Sequence, residues 1–355
     1  MNKYMIFIIL LSLLTLNAVS ADSMFKQIEE SIGPAFQMFK ISPDAGEGKT
    51  YTVFSLPLWA KYTPSRYVTY SAQLNQGFQS FDGTGLYGLS NLNLNVRYLH
   101  SETMTIVGGV TVPIGSKNLK YDELTTISAG RIPFVNSPLD LASSGFGLNV
   151  GLSYGLQMSE AMSLAFGAAY FVRGSYTPVK DGSSYNPSDE LLLAVGMEYG
   201  DKEVFAFIGD FQFSLYSEEK SDGAKLSDPG LGMALSGTCY FNSLKLRMLF
   251  YKRGESDLAF GGAFKPPSIL SFKLNHQNIL LPVLMPMIPY IGFEHTGEGS
   301  LVDSANLFLF GVYQEKHVMN GFPISPFLEI SFGSTSGKTG LFGLKLGTNI
   351  TFQMY

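Results

Sequence analysis

Asn91-Leu92-Asn93-Leu94-Asn95-Val96-Arg97-Tyr98 places a polar side chain at every odd position and an apolar one at every even position. Successive side chains of a β-strand point to opposite faces, so a strand built from this segment has one wet face and one dry face. Val68, Tyr70, Ala72 and Leu74 repeat the pattern, with Thr69, Ser71, Gln73 and Asn75 opposite them. The same period recurs over residues 104–114, 146–156, 162–172, 205–215, 231–241, 244–250 and 342–354. Charge sharpens the reading. In and beside these spans Arg97, Arg173, Asp210, Lys245, Arg247 and Lys345 all take the polar phase, as does Glu198 in the less regular stretch 191–199. A lysine or arginine facing lipid at mid-depth costs about 2–4 kcal/mol, enough to clear charge from one phase of every strand that touches hydrocarbon.

A soluble β-sandwich also alternates, so strand length and connections have to separate the two. The alternating runs reach roughly ten residues, the length a tilted membrane strand needs, whereas soluble strands average roughly five or six. Tight connections at 63–65, 101–102, 158–160, 200–202 and 242–243 alternate with long polar loops at 116–144, 175–189 and 217–229. Short turns at one rim and long loops at the other are the pattern of bacterial outer-membrane barrels. The expected fold is therefore all-β, a transmembrane antiparallel up-and-down β-barrel. If the tight turns are periplasmic, a first outward strand is required at 35–41, before the inward strand at 50–62. Counting onward gives about 14 strands, within a range of about 12 to 16. Residues 263–294, with Pro266, Pro267 and three later prolines, are expected to hold a kinked strand or an inward fold, because proline suits a paired ladder poorly.

Ahead of the barrel, Lys3, the largely apolar run 6–16 and small residues at Ala18, Ser20 and Ala21 read as a secretory signal over 1–20. A retained anchor is the alternative; eleven helical residues reach only about 16 Å, half of a bilayer core. Residues 21–33, with Met24, Phe25, Ile28 and Ile32 at helical spacing, are expected to form a short amphipathic helix, either a plug or a periplasmic segment. The barrel then occupies 34–355, and no later apolar stretch approaches the length of a membrane helix.

Composition agrees with an envelope protein. Only 15% of residues are charged, against about 25% in an average soluble domain. The net charge of −5 comes with no basic block, which argues against nucleic acid as a partner. A single cysteine, Cys239, rules out an intrachain disulfide.

Carried through the chain, the polar phase places Gln73, Asn75, Asn91, Asn93, Asn95, Arg97, Arg173, Asp210, Gln212, Lys245, Arg247, Glu329 and Lys345 toward the lumen. They either line a passage or fill a polar interior by pairing with one another. Loop 116–144 is more apolar than a solvated loop needs to be. Ile132, Phe134, Leu139 and Leu141 are its expected gate, folding over the mouth to capture hydrophobic solute.

Residues 88–98 (Gly-Leu-Ser-Asn-Leu-Asn-Leu-Asn-Val-Arg-Tyr), followed by Val110-Thr111-Val112-Pro113-Ile114-Gly115, resemble paired strands of the meta-pathway phenol-degradation outer-membrane proteins, relatives of the long-chain fatty-acid transporter barrels. Residues 145–154 and 170–174 are similar too, and the resemblance covers roughly residues 50–260. That pattern often has an acid where Asn91 stands and a threonine where Ile114 stands. The transporters' Asn-Pro-Ala signature is replaced here by Gly33-Pro34-Ala35. The resemblance implies a barrel for uptake of small hydrophobic or aromatic solutes.

Signatures of catalysis are sparse. Residues 333–339, Gly-Ser-Thr-Ser-Gly-Lys-Thr, carry three residues between the glycines where a phosphate-binding loop needs four, and a strand pattern follows instead of a helix. His100, His276, His295 and His317 show no metal-ligand spacing, and no cofactor is expected. A lipid-hydrolysing barrel would need Ser and His on neighbouring strands near a rim; His100 and Ser101 are adjacent and point to opposite faces. The expected function is passive uptake through the lumen by a non-enzyme. The alternatives are a non-conducting structural or adhesive barrel and, third, a lipid hydrolase. Expected partners are outer-membrane lipid, a small hydrophobic solute and the barrel-assembly machinery during insertion.

Overall fold

The structure, a computed structural model, describes residues 27–42, 47–201, 204–277, 281–282, 286–300, 302–314, 317–319 and 322–354. The expected signal segment 1–20 lies outside them. Among the described residues twenty ladder segments, four of them continuations of others, form sixteen antiparallel strands closed into a ring. In chain order these are β1 (Gln27–Ile32 with Ala35–Ser42), β2 (Lys49–Ser65), β3 (Val68–Phe81), β4 (Thr84–Leu89 with Leu92–Leu99) and β5 (Met104–Val112). Next come β6 (Gly147–Ser159), β7 (Met162–Arg173), β8 (Glu190–Asp201), β9 (Phe205–Tyr216), β10 (Gly232–Phe241) and β11 (Leu244–Arg253). The ring finishes with β12 (Ile269–His276), β13 (Pro286–Thr296), β14 (Ala305–Tyr313), β15 (Phe322–Thr335) and β16 (Gly340–Met354). Leu281–Pro282 and His317–Met319 extend β12 and β14. β16 pairs with β1 along its length, so no edge is left open.

Three expectations change. The strand number is 16 rather than about 14. One boundary was hidden because β3 and β4 are joined by only Asp82 and Gly83 at the rim where the other connections are longer. Both residues have positive φ, 50° and 84°, as a tight two-residue hairpin turn demands. The second change is at residues 27–32, expected within a helix, which form strand between Leu58–Thr63 of β2 and Ile350–Met354 of β16. Ile28 and Ile32 are four apart, a spacing that puts two side chains on one face of a helix and equally on one face of a strand. Third, the proline-bearing stretch 263–294 contributes two regular wall strands, β12 and β13, paired from Ile269↔Thr296 to Asn275↔Tyr290. Pro266 and Pro267 precede the first, and Pro286 opens the second.

Directly opposed residues in an antiparallel pair share a face, so the register carries one face around the barrel. Gln37 opposes Val53, Val53 opposes Gln79, and the chain of partners continues to Lys345, which opposes Gln37. The outward phase holds Phe54, Tyr70, Leu94, Val150, Phe166, Val195, Phe211, Leu235, Phe310 and Phe332, all exposed. Among the described side chains its charges, Lys40, Asp201 and Lys252, sit close to strand ends. Aromatic rings crowd the tight-turn rim: Tyr62 stacks on Tyr70 at 6.4 Å, and Phe205 meets Phe241 edge-on at 5.2 Å. Such rings settle at a lipid–water boundary because one end is apolar and the other wet.

At the opposite rim five short segments, Tyr185–Asn186, Glu219–Ser221, Ala224–Asp228, Ser256–Leu258 and Ala263–Phe264, pair into a second sheet above the barrel. Asp222 and Gly223, both at positive φ, make its tight turn. The Ser183 hydroxyl, and then the Ser184 amide at 2.7 Å, hold the Asp222 carboxyl below the ordinary aspartate value.

Candidate functional site

The interior is divided by the segment between β5 and β6. Helix α1 (Tyr121–Gly130) opens with the Lys120 amide donating to the Glu123 carboxylate at 2.8 Å, a capping arrangement. It packs against β2, β3 and β4. Past the helix the chain turns into the barrel and lies along the wall. The Tyr51 hydroxyl is within hydrogen-bond reach of Ser137 Oγ (2.8 Å) and Gln79 Oε1 (3.1 Å), and Gln37 Nε2 donates to the Val135 carbonyl. The Phe39 and Phe134 rings sit 5.7 Å apart. Gly77 of β3 is a necessary gap: a Cβ there would come within 2.8 Å of Leu139. Asn91, at the break in β4, donates to Ser144 Oγ at 2.6 Å and accepts from the Gly115 amide at 3.3 Å, tying both ends of the segment to the wall.

This geometry corrects the expected gate. Phe134, Leu139 and Leu141 are buried, and Ile132 is half-buried against the same cluster. They join one patch with Phe39, Tyr51 and Val53 of β1 and β2, Leu341 of the adjoining β16, and Ala305, Leu307 and Leu309 of β14. The four side chains anchor the segment and do not face a solute. Each fully buried apolar side chain contributes about 1.5–3 kcal/mol, which explains why a loop joining two strands is so apolar. The interior face of β14 departs from the polar-inside rule for the same reason: Ala305, Leu307 and Leu309 cover the segment.

Twelve of the thirteen residues assigned to the lumen from the sequence fall on the interior face by register, and Asn91 stands at the break in β4. They are not one cluster. Asn75 and Asn91 contact the inward segment, the former through a long 3.5 Å bond to the Pro138 carbonyl. Asn93 accepts from Thr111 at 2.9 Å. Gln73, Asn95, Arg97 and Gln212 are exposed to the lumen. Arg173 pairs with Glu190 and donates to the Ser188 carbonyl at 3.0 Å. Asp210 meets Ser236 Oγ at 3.4 Å. Lys245 is buried, its ammonium 5.2 Å from the centre of the Tyr240 ring.

Glu329 and Lys345 belong to a group the sequence reading saw only in part. The Glu329 carboxylate accepts from Lys273 Nζ and from the Tyr290 hydroxyl, each at 2.6 Å, and Lys345 Nζ stands 3.8 Å away. Together with Arg247, Asn275, Tyr313 and Phe327 they line a cavity of about 390 Å³. A second cavity of about 290 Å³ shares Arg247 and Lys273 and reaches Asp210 and Ser236. Lys273 was missed although Ser271, Lys273 and Asn275 alternate with Leu270, Phe272 and Leu274 in the pattern used elsewhere; the flanking prolines masked it. Near the loop rim a third cavity of about 350 Å³ lies between the inward segment and the upper sheet, with Arg131, Arg173, Arg253, Tyr176 and Tyr185 on its walls. Burial pushes the Tyr185 hydroxyl up, and the Glu219 carboxylate beside it acts in the same direction. Polar space therefore remains between the apolar cluster and the tight-turn rim, where β14 and β16, which carry part of the cluster, also line the first cavity. No grouping of His, Cys, Asp and Glu suited to a metal ion occurs among the described residues.

No family model matches the chain, and no curated protein matches it by sequence. Solved structures do match in fold. OccAB4 of Acinetobacter baumannii is similar at 9% identity, with 94% of this chain and 99% of that one covered and a TM-score of 0.50. OpdQ of Pseudomonas aeruginosa is similar at 8% identity, over 93% and 98%, with the same TM-score of 0.50. An outer-membrane channel from Pseudomonas putida F1 aligns at 9% identity over 94% and 97%, with a TM-score of 0.42. At such identities the likeness to the first two establishes a shared barrel fold.

Proposed function

We propose that the chain is an outer-membrane channel that lets small solutes with an aromatic or apolar body cross passively through its lumen. One observation carries the proposal: an apolar outward face runs around a closed ring whose inward face is polar except where it meets the segment filling the interior, and that segment is fastened to one side of the ring. A barrel built only as a scaffold has no need to leave polar cavities along β9 to β13, β15 and β16. Tyr290, Tyr313, Phe327 and the exposed Leu249 on the lumen side supply apolar contact for a solute body. The barrel fold shared with OccAB4 and OpdQ, and the resemblance to the phenol-degradation proteins, support the same reading. Outer-membrane lipid is the proposed surrounding of the outward face, reached by export and insertion through the barrel-assembly machinery.

The hydrolase alternative receives one specific observation. Ser243 Oγ lies 3.0 Å from His276 Nε2, on neighbouring strands at the tight-turn rim. Yet among the described residues His276 Nδ1 is buried without a partner, and none of their carboxylates orients the ring or stabilises it once protonated. The pair reads as a hydrogen bond closing a strand end. Purified protein in planar bilayers tests the proposal: discrete conductance steps are expected, and an intact barrel that leaves the bilayer silent would return the reading to a structural or adhesive barrel.

A further inference from the structure

Arg247 of β11 and Lys273 of β12 are direct register partners. Like charges placed opposite one another across an antiparallel pair destabilise it, so this pair works against the wall that holds it. Its surroundings relieve only part of the repulsion. Three cations, Arg247, Lys273 and Lys345, line the 390 Å³ cavity with one carboxylate, Glu329, and that carboxylate is already engaged by Lys273 and Tyr290. Glu294, also on the interior face, opposes Ser271 one inward position further toward the loop rim. Asp210, across the neighbouring cavity, bonds Ser236. Among the residues lining the two cavities, three cations (Arg247, Lys273 and Lys345) stand with two carboxylates (Glu329 and Asp210), and among the described residues Arg247 has no ion pair or hydrogen bond.

The remaining walls are aromatic. The Tyr290 and Tyr313 rings lie 6.0 Å apart at 60°, and Phe327 opposes Tyr313 across β14 and β15. The hydroxyls of both tyrosines are occupied, Tyr290 by Glu329 and Tyr313 by Asn275 at 2.9 Å, which leaves ring surface for a ligand. A forked guanidinium suits a carboxylate, which it can hold through two parallel bonds. A volume of about 390 Å³ lies in the range of small-molecule sites.

We infer that this cavity is a binding site for a small aromatic carboxylate, its anionic end held by Arg247 and Lys273 and its ring by Tyr290, Tyr313 and Phe327. The inference rests on the channel reading for the route by which the ligand arrives; binding itself is measurable without conduction. Calorimetry on the full chain in detergent would use benzoate as probe, with benzyl alcohol and acetate as partial analogues. Benzoate binds, and each analogue binds at least several-fold more weakly. Arg247→Gln weakens benzoate roughly ten-fold, the equivalent of losing one charge-assisted contact. Glu329→Gln acts in the opposite direction, because it removes the competing carboxylate, and tighter binding cannot come from a damaged barrel. Equal binding of benzoate and benzyl alcohol, or no benzoate binding to a heat-modifiable barrel, overturns the inference. Bilayer recording then separates the two readings. Conductance that benzoate fails to block leaves the channel standing and removes the site, whereas benzoate binding to a non-conducting barrel keeps the site and removes the channel.

Discussion

Replacing Val135 by aspartate would put a carboxylate where the inward segment meets Phe39, Tyr51 and Val53, at a side chain with 0% exposure. The anchorage consists of Phe134, Val135, Leu139 and Leu141, at about 1.5–3 kcal/mol each, or roughly 6–12 kcal/mol in all. Val135→Asp removes about 1.5–3 kcal/mol of burial and adds several kcal/mol for an unpaired buried charge. Together these cancel a large part of that anchorage, and the segment leaves the wall. The wall itself keeps its ladder, since β5 and β6 pair with each other and with β4 and β7 independently of the segment. The expected result is a heat-modifiable barrel with larger single-channel conductance than wild type. Ser128→Asp, exposed on helix α1 of the same inter-strand segment, serves as control and leaves conductance unchanged. Wild-type conductance from a folded Val135→Asp barrel would refute the anchoring argument.

The parity of the wall can be tested with one pair of neighbours. Phe211→Lys faces lipid and should lower unfolding stability in bilayers by about 2–4 kcal/mol, while Gln212→Lys, facing the lumen, changes it little; equal effects would contradict the assigned phase. At the upper sheet, the lowered Asp222 carboxyl stabilises its turn above the ordinary aspartate value, near pH 4 by reference, and that contribution is lost as pH falls through the lowered value. Exchange protection of the Ser184 amide should therefore drop on acidification, with a midpoint below the ordinary value. Asp222→Asn, which keeps an acceptor and tolerates positive φ, should remove the pH dependence, and a midpoint above the ordinary value would reject the hydrogen-bond explanation. Gly83→Ala meets no steric obstacle but strains φ at +84°, and should destabilise the barrel by about 1–3 kcal/mol without altering conductance.

Much of the wall could be read from residue order because a strand's face is a local property. The alternation in Asn91–Tyr98 needed no partner to be visible, and in the register Asn93, Asn95 and Arg97 share a face with Gln73, Ser71 and Thr69. Strand number was harder to read. Asp82-Gly83 is a strand boundary of two residues, and Ile28 and Ile32 fit a helix and a strand equally well.

The cluster around Glu329 gathers side chains from β12, β13, β15 and β16, between Lys273 and Lys345 in the chain, and no local period reveals that they meet. The sequence by itself determined which side of each strand meets lipid, because the penalty for charge in hydrocarbon acts on every residue separately. Only the tertiary structure decided what the apolar side chains of residues 131–141 are for. Their role depends on Ala305, Leu307, Leu309 and Leu341 of β14 and β16 standing beside Phe39, Tyr51 and Val53 of β1 and β2, and contact between such distant segments is set by how the ring closes.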